Sequence, residues 1–433
     1  MLHQKYNTMK ALMNKLVGFS MIFMLILGAG NSYGQDSATF VTISGVVKDA
    51  KTKDRLPFAT INIVGSRVGT VANSDGEFSL KVLTSLNAES FEVSYLGYVN
   101  KKFSIAESVG KDIVCFIESY SVTLNPVVIT PDNARELVEE AMSKIQDNYS
   151  QAPNTLVGFY REYIKQRKDY LSISEALVDV YKAPYGVYES DRVKINKARK
   201  GNNVKKADTL AIKLQGGPSV MLLLDAVKNP DVLLTKESMD NYNYEILEMV
   251  NIDNDLNYVI SFSPRVILPY SLYIGKIYIS KEHKAISMIT FSMDLSDMEK
   301  ASQQFIRKKP FGLIFTPTSA TYMVTYKMYD GSYYLNYMRS ELKFRCDWKK
   351  RWFKNNYTVV SEQVITDRST DNVLKFNNKV AFKSHDIFAD KAQAYFNGDF
   401  WGDQNVIEPE ESIQDAIKKF NKQYLKQQKE AKQ

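Results

Sequence analysis

Between residues 41 and 118 short alternating apolar stretches are cut by turn residues, which predicts strands at 41–48, 58–64, 68–72, 77–82, 90–95, 99–105 and 112–118. Seven short strands at this spacing are the pattern of a two-sheet β-sandwich. Ala59, Ile61 and Ile63 alternate with Thr60 and Asn62, so this strand buries one face. Asn73-Ser74-Asp75-Gly76 is the tight turn between the third and fourth strands, with Gly76 supplying positive φ. After the sandwich, 39–120, Pro126 and Pro131 make residues 121–131 an extended linker. A helix follows with Asp132 at its N-cap and Ala134, Leu137, Val138, Ala141, Met142 and Ile145 at helical spacing.

From 155 to 382 the strands lengthen and become rich in Tyr, Phe, Ile and Val; the clearest are 170–181, 258–263, 272–280, 285–293, 319–328, 333–348 and 353–366. Leu342, Phe344, Cys346 and Trp348 point one way, and Glu341, Lys343, Arg345 and Asp347 the other. Consecutive long hairpins predict an up-and-down antiparallel sheet, curved into a half-barrel with covering helices, across 132–408. The fold class is therefore mainly β, a seven-stranded sandwich followed by that sheet. A last helix with a basic tail occupies 409–433, where Ile413, Ala416, Ile417, Phe420 and Tyr424 form a stripe.

The first 34 residues change the picture. Lys5, Lys10 and Lys15 precede an apolar run from Leu16 to Gly30 with no acid, and Ser32-Tyr33-Gly34 places small residues before Gln35. The run falls short of the ~20 residues a spanning helix needs, so it reads as a cleaved secretory signal, 1–34. Its loss takes three of the 56 Lys+Arg and none of the 49 Asp+Glu, leaving a formal charge of +4 on 399 residues. So small a charge argues against a nucleic-acid partner. The mature chain then holds two histidines, His283 and His385, and two cysteines, Cys115 and Cys346, both in apolar strands and expected as buried free thiols.

The run Ile43-Ser44-Gly45-Val46-Val47-Lys48-Asp49, with Leu56-Pro57-Phe58-Ala59-Thr60-Ile61, Gly69-Thr70, Asp75-Gly76-Glu77-Phe78 and Ser94-Tyr95-Leu96-Gly97-Tyr98, resembles the carboxypeptidase regulatory-like domain of Bacteroidetes-type envelope proteins. The resemblance implies a prealbumin-like sandwich that accompanies an enzyme or an outer-membrane transporter and is not itself catalytic. Residues 258–293 are similar in pattern to the outer-membrane lipoprotein carrier half-barrel. The stretch 126–433, with Gly158-Phe159-Tyr160-Arg161-Glu162 and Trp401-Gly402-Asp403-Gln404-Asn405, resembles the uncharacterised second part of such envelope proteins.

Candidate chemistry is thin. His283 and His385 are 102 positions apart, so the three ligands of a catalytic zinc are not supplied. His283 reads as a hairpin-tip residue and His385 as a neighbour of Asp386 in a polar link. Gly216-Gly217-Pro218 lacks the lysine of a phosphate loop and reads as a turn or helix start; Asp253-Asn254-Asp255 breaks calcium-loop order and reads as a hairpin turn. Asp399, Asp403 and Glu408 around Trp401 are the one acidic cluster worth testing for acid-base work, against a polar loop whose Phe400 and Trp401 dock on the sheet. Arg192, Lys194, Lys197, Arg199, Lys200, Lys205 and Lys206 put seven positive charges in fifteen residues, a solvated loop or a contact for anionic lipid or glycan. Lys349-Lys350-Arg351 between Trp348 and Trp352 reads as a hairpin tip.

No catalytic, cofactor or metal-binding residue is assigned. The expectation is a non-enzymatic binding or scaffold protein of the envelope, periplasmic or outer-membrane associated, with an outer-membrane component, lipid or glycan as partner and a hydrophobic or glycan ligand. A carboxylate-dependent hydrolase and an adaptor for an outer-membrane transporter stand as alternatives. A transporter itself is excluded by length, because some 300 residues after the sandwich cannot supply a plug and about 22 barrel strands.

Overall fold

The computed structural model describes residues 39–120, 131–203, 217–305, 312–348, 355–392 and 401–430. The signal expected at 1–34, the linker expected over 121–130, Lys205, Lys206, Gly216, the tip expected at 349–352, Asp399 and Phe400 lie outside the described residues.

All seven expected sandwich strands form: β1 (Phe40–Asp49), β2 (Thr60–Ile63), β3 (Gly69–Val71), β4 (Glu77–Leu83), β5 (Ser90–Ser94), β6 (Lys101–Ser104) and β7 (Asp112–Ile117). They divide into sheets ordered β4-β1-β7 and β3-β2-β5-β6, with β1 and β7 parallel and the other pairs antiparallel. Ile43, Val47, Ala59, Ile61, Ile63, Phe78, Leu80, Phe91 and Val93 fill the space between the sheets. Gly76 has φ 73°, and Asn73 Oδ1 accepts from the backbone N–H of Asp75 and Glu77, both at 2.9 Å, closing the expected turn.

The second sheet has ten strands, β8 (Asn154–Gln166), β9 (Asp169–Lys182), β10 (Arg192–Asn202), β11 (Tyr242–Ile252), β12 (Asp255–Pro264), β13 (Tyr273–Ser280), β14 (Ile286–Met293), β15 (Leu313–Tyr329), β16 (Ser332–Trp348) and β17 (Asn355–Ser369). Their order is β10-β9-β8-β17-β16-β15-β14-β13-β12-β11, all antiparallel, so the curved sheet is not closed. The chain lays down β8 to β10, crosses to the far edge, and returns hairpin by hairpin until β17 pairs with β8. The run 192–202 is therefore an edge strand and not the solvated loop its charges suggested; its alternate residues face protein, and Phe382 pairs with Val193 along its outer edge. Asp253 and Asn254 both take positive φ, 57° and 63°, in the β11–β12 turn.

One face of this sheet is roofed by the crossing segment 217–241 and by helix α1 (Pro131–Ser143). Met221, Leu222, Ala226, Val227, Leu233, Leu234 and Met239 of the crossing segment, with Ala134, Val138 and Ala141 of α1, pack on the strands there. Helix α2 (Met298–Phe305) covers the lower part through Ala301. On the other face sit the sandwich and helix α3 (Glu411–Glu430), whose Ile413, Ala416 and Phe420 meet Tyr163, Tyr170, Ile173 and Val360. The expected stripe on α3 stops there, since Tyr424 is exposed. Both thiols are free and buried, and desolvation pushes each up to about 12.

Candidate functional site

The sandwich meets the sheet across a seam mortared by residues 401–410. Lys81 N–H donates to Asn405 Oδ1 at 2.7 Å and Asn405 Nδ2 returns a bond to Lys81 O at 3.1 Å. Thr70 Oγ1 donates to Val406 O at 3.1 Å and Ser74 Oγ to Glu410 Oε1 at 2.8 Å. Trp401, Val406 and Ile407 are buried among Val71 of the sandwich and Phe159, Leu177, Tyr337 and Val364 of the sheet. Trp401 meets Phe159 edge-on at 5.4 Å, so the docking expected of this segment is observed for Trp401. A second tie is the β11–β12 turn: Asn100 Nδ2 donates to Asp253 Oδ1 at 2.9 Å, and Gly97 N–H to Asn251 O at 2.7 Å.

Beneath the 401–410 segment runs a ladder of charge. In register across five adjacent strands, Arg199 pairs with Glu175, Glu175 with Arg161, Arg161 with Glu362 and Glu362 with Arg339. Glu175 accepts from Arg161 Nε and Arg199 Nε, both at 2.7 Å. Glu362 lies 3.5 Å from Arg161 Nη1 and 3.0 Å from Arg339 Nη1, and accepts from Tyr337 OH at 3.1 Å. Arg161 Nη2 donates to Ile407 O at 2.8 Å, which fastens the ladder to the mortar. Arg161, Glu175 and Glu362 are almost wholly buried. Burial works to raise the Glu175 carboxyl, but Arg161 and Arg199 outweigh it and hold it below the usual range. Burial likewise works against the Arg161 charge, and Glu175 and Glu362 more than offset it.

Next to this ladder the seam opens into hollows on either side of Phe58. The larger, about 630 Å³, lies over β12 to β15 and is lined by Phe58, Ile274, Met323, the hydroxyls of Ser261, Thr290 and Thr321, and the cations Lys276 and Arg339. The smaller, about 130 Å³, is lined by Pro57, Leu96, Ile252, Met288, Met323 and Lys327. Phe58 itself has φ 63°, a left-handed backbone that costs a bulky residue on the order of 1–3 kcal/mol and is kept where surrounding contacts impose it. Those contacts are the Tyr337 ring, stacked at 5.9 Å, and the Arg339 guanidinium, 4.8 Å from its centroid.

The opposite face buries its polar groups differently. Asp225 accepts from Lys182 Nζ at 2.6 Å, Tyr326 OH at 2.7 Å and Tyr185 OH at 2.9 Å, and Asp191 takes Lys182 from the other side at 2.6 Å. Burial works against the Lys182 charge, and the two aspartates overcome it. Glu162 has one phenol, Tyr160 OH at 2.7 Å, and desolvation holds its carboxyl up at about 7 although Tyr160 and Lys200 pull it down.

Of the expected acidic cluster, Asp403 accepts from its neighbour Gln404 at 3.1 Å, and burial raises the Glu408 carboxyl against the pull of Arg161; no contact joins the two. His283 is half-buried against the Tyr333 ring at 6.1 Å, while His385 is exposed in a turn beside Asp386. Gly217 caps the helical turn Pro218–Met221, the helix start expected of Gly216-Gly217-Pro218. Sequence reasoning missed Arg161, Glu175, Arg339 and Glu362. For Glu175 the available signal was a lone charge amid uncharged strand positions, Ile173-Ser174-Glu175-Ala176-Leu177.

Residues 43–129 match the family model of the CarboxypepD_reg-like domain. No curated protein matches the chain. Among solved structures, an outer membrane lipoprotein-sorting protein domain from Vibrio parahaemolyticus is 11% identical, covering 58% of this chain and 98% of its own, with TM-score 0.26. A DUF1329 family protein from Desulfovibrio piger is 12% identical over 58% of this chain and 99% of its own, with TM-score 0.24. The Pseudomonas aeruginosa MucA/MucB complex gives 11% identity, 53% and 93% coverage, and TM-score 0.17. The sandwich is a CarboxypepD_reg-like domain, and it is fused to a ten-stranded open antiparallel sheet.

Proposed function

We propose that this chain is a non-enzymatic binding protein of the cell envelope and that its ligand lies in the seam between sandwich and sheet. The observation that carries the reading is the groove of about 630 Å³ beside Phe58, a size in the range of small-molecule sites, with apolar walls and a few placed hydroxyls and cations. The mortar at 401–410 and the charge ladder support it further, because they fix the two walls of the groove relative to each other. The leader at 1–34 and the company such sandwiches keep support the envelope address. The working division is leader 1–34, sandwich 39–120, linker 121–131, sheet domain 132–408 and terminal helix 409–433.

Native mass spectrometry of protein purified from envelopes without detergent tests the site. A retained small molecule is expected, and Thr290→Trp, which fills the groove floor, is expected to lose it while keeping the melting temperature. Retention by Thr290→Trp equal to that of the parent would place the ligand elsewhere.

A further inference from the structure

The end of the sheet where β12 turns into β13 presents apolar side chains outward from a braced loop. In Arg265-Val266-Ile267-Leu268-Pro269-Tyr270, Val266 and Leu268 pack into the main core, while Ile267 is 91% and Tyr270 51% exposed. Alternate residues thus anchor the loop and their neighbours are displayed. Helix α2 braces it, since Gln304 Nε2 donates to Ser271 O at 3.1 Å. The antiparallel pairing brings two more exposed apolar groups to this end, Met298 at the start of α2 and Ile314 at the start of β15. Isolated exposed hydrophobics are ordinary; several on one end, held rigidly, mark an interaction surface.

The charge around them selects the partner. Arg265 beside Ile267 is exposed and has no ion-pair partner among the described residues; Arg167 and Lys168 are exposed at the β8–β9 turn, on the same end of the sheet but with the four strands β14 to β17 between. The acids on this end of the sheet include Asp169 at the start of β9, Asp294, Asp297 and Glu299; Asp297 is engaged with Lys300 at 3.6 Å and with the N–H groups of Glu299 and Lys300. Aliphatic side chains and a tyrosine beside an unpaired arginine fit the boundary between acyl chains and phosphate headgroups. We propose that this end of the sheet docks peripherally on a phospholipid bilayer, with Ile267 and Tyr270 entering the interface and Arg265 meeting headgroup phosphate. No helix among the described residues is long and apolar enough to cross a membrane, and docking needs none.

Co-sedimentation of the full exported protein with vesicles of phosphatidylethanolamine and phosphatidylglycerol, at low and high salt, tests the proposal. The parent is expected to bind, Ile267→Ser with Tyr270→Ser to weaken binding at least tenfold, and Arg265→Ser to weaken it several-fold with a shallower salt dependence. Leu374→Ser, which removes an exposed leucine beyond the opposite end of the sheet, and Thr290→Trp in the seam groove should leave it unchanged, so failure here is distinct from failure of the seam reading. Ile267→Trp reads the contact without removing it, through a blue shift of the added indole emission on mixing with vesicles. A parent that ignores vesicles, a double variant that binds as well, an unshifted emission from the Ile267→Trp variant, or a concentration-dependent dimer abolished by Ile267→Ser would each overturn it.

Discussion

Two rows of residues cross the ten-stranded sheet side by side, one on each face, and they solve burial in opposite ways. On the roofed face Ile246, Ile260, Ile277, Ile289, Val324, Met338, Gln363, Tyr160, Ala176 and Ala198 stand in register. Their immediate neighbours in the chain, Ser261, Lys276, Thr290, Met323, Arg339, Glu362, Arg161, Glu175 and Arg199, form the row under the sandwich. Half of the second row is alternating charge in which each member satisfies the next. In the first row Gln363 is fully buried with neither amide atom bonded. Polarity is thus tolerated in this sheet where it is reciprocated, and the unreciprocated groups are the ones whose removal should help.

Substitution in the ladder should cost most. Arg161→Met leaves Glu175, Glu362 and Ile407 O short of a partner and is expected to destabilise by about 3–5 kcal/mol in urea denaturation, as for a broken buried ion pair. A loss under about 1 kcal/mol would mean the ladder is not coupled. Glu162 comes next. Its folded value of about 7 lies above that of a free glutamate, so the stability present below the free value is lost as pH rises through 7. Glu162→Gln should remove that slope and exceed the parent by on the order of 2 kcal/mol at about pH 8, with near equality at about pH 4 to 5. Parallel pH profiles would contradict the unreciprocated carboxyl. The smallest effect has the opposite sign to the first: Gln363→Met is expected to stabilise by about 1 kcal/mol, because it removes two unbonded polar atoms from the core. A net loss would show that the amide is bonded in solution.

The sequence declared the sandwich more fully than the sheet, for a physical reason. Its strands are short and punctuated by Asn, Asp and Gly, as at 73–76, and local turn chemistry is enough to place them. In the sheet, β16 was legible because Leu342, Phe344 and Cys346 alternate with Glu341, Lys343 and Arg345, and one period carries the whole strand. Strand β10 was not, because its Arg and Lys residues look solvated until Glu175 is known to lie opposite Arg199. The ladder joins positions as distant as Arg161 and Glu362, and only register brings them together. Likewise Phe58 reaches the groove wall with a left-handed backbone, stacked on Tyr337, a meeting no local pattern announces.

The seam proposal puts the ligand on the sandwich face of the sheet, and one paired measurement tests it. A photoreactive side chain placed at Ser292, on the sandwich face in the groove, and separately at Ser340, on the roofed face, can be activated in intact cells and each product weighed. The seam reading predicts a discrete small-molecule adduct from position 292 and none from position 340. An adduct confined to position 340, or none at either position, would contradict it.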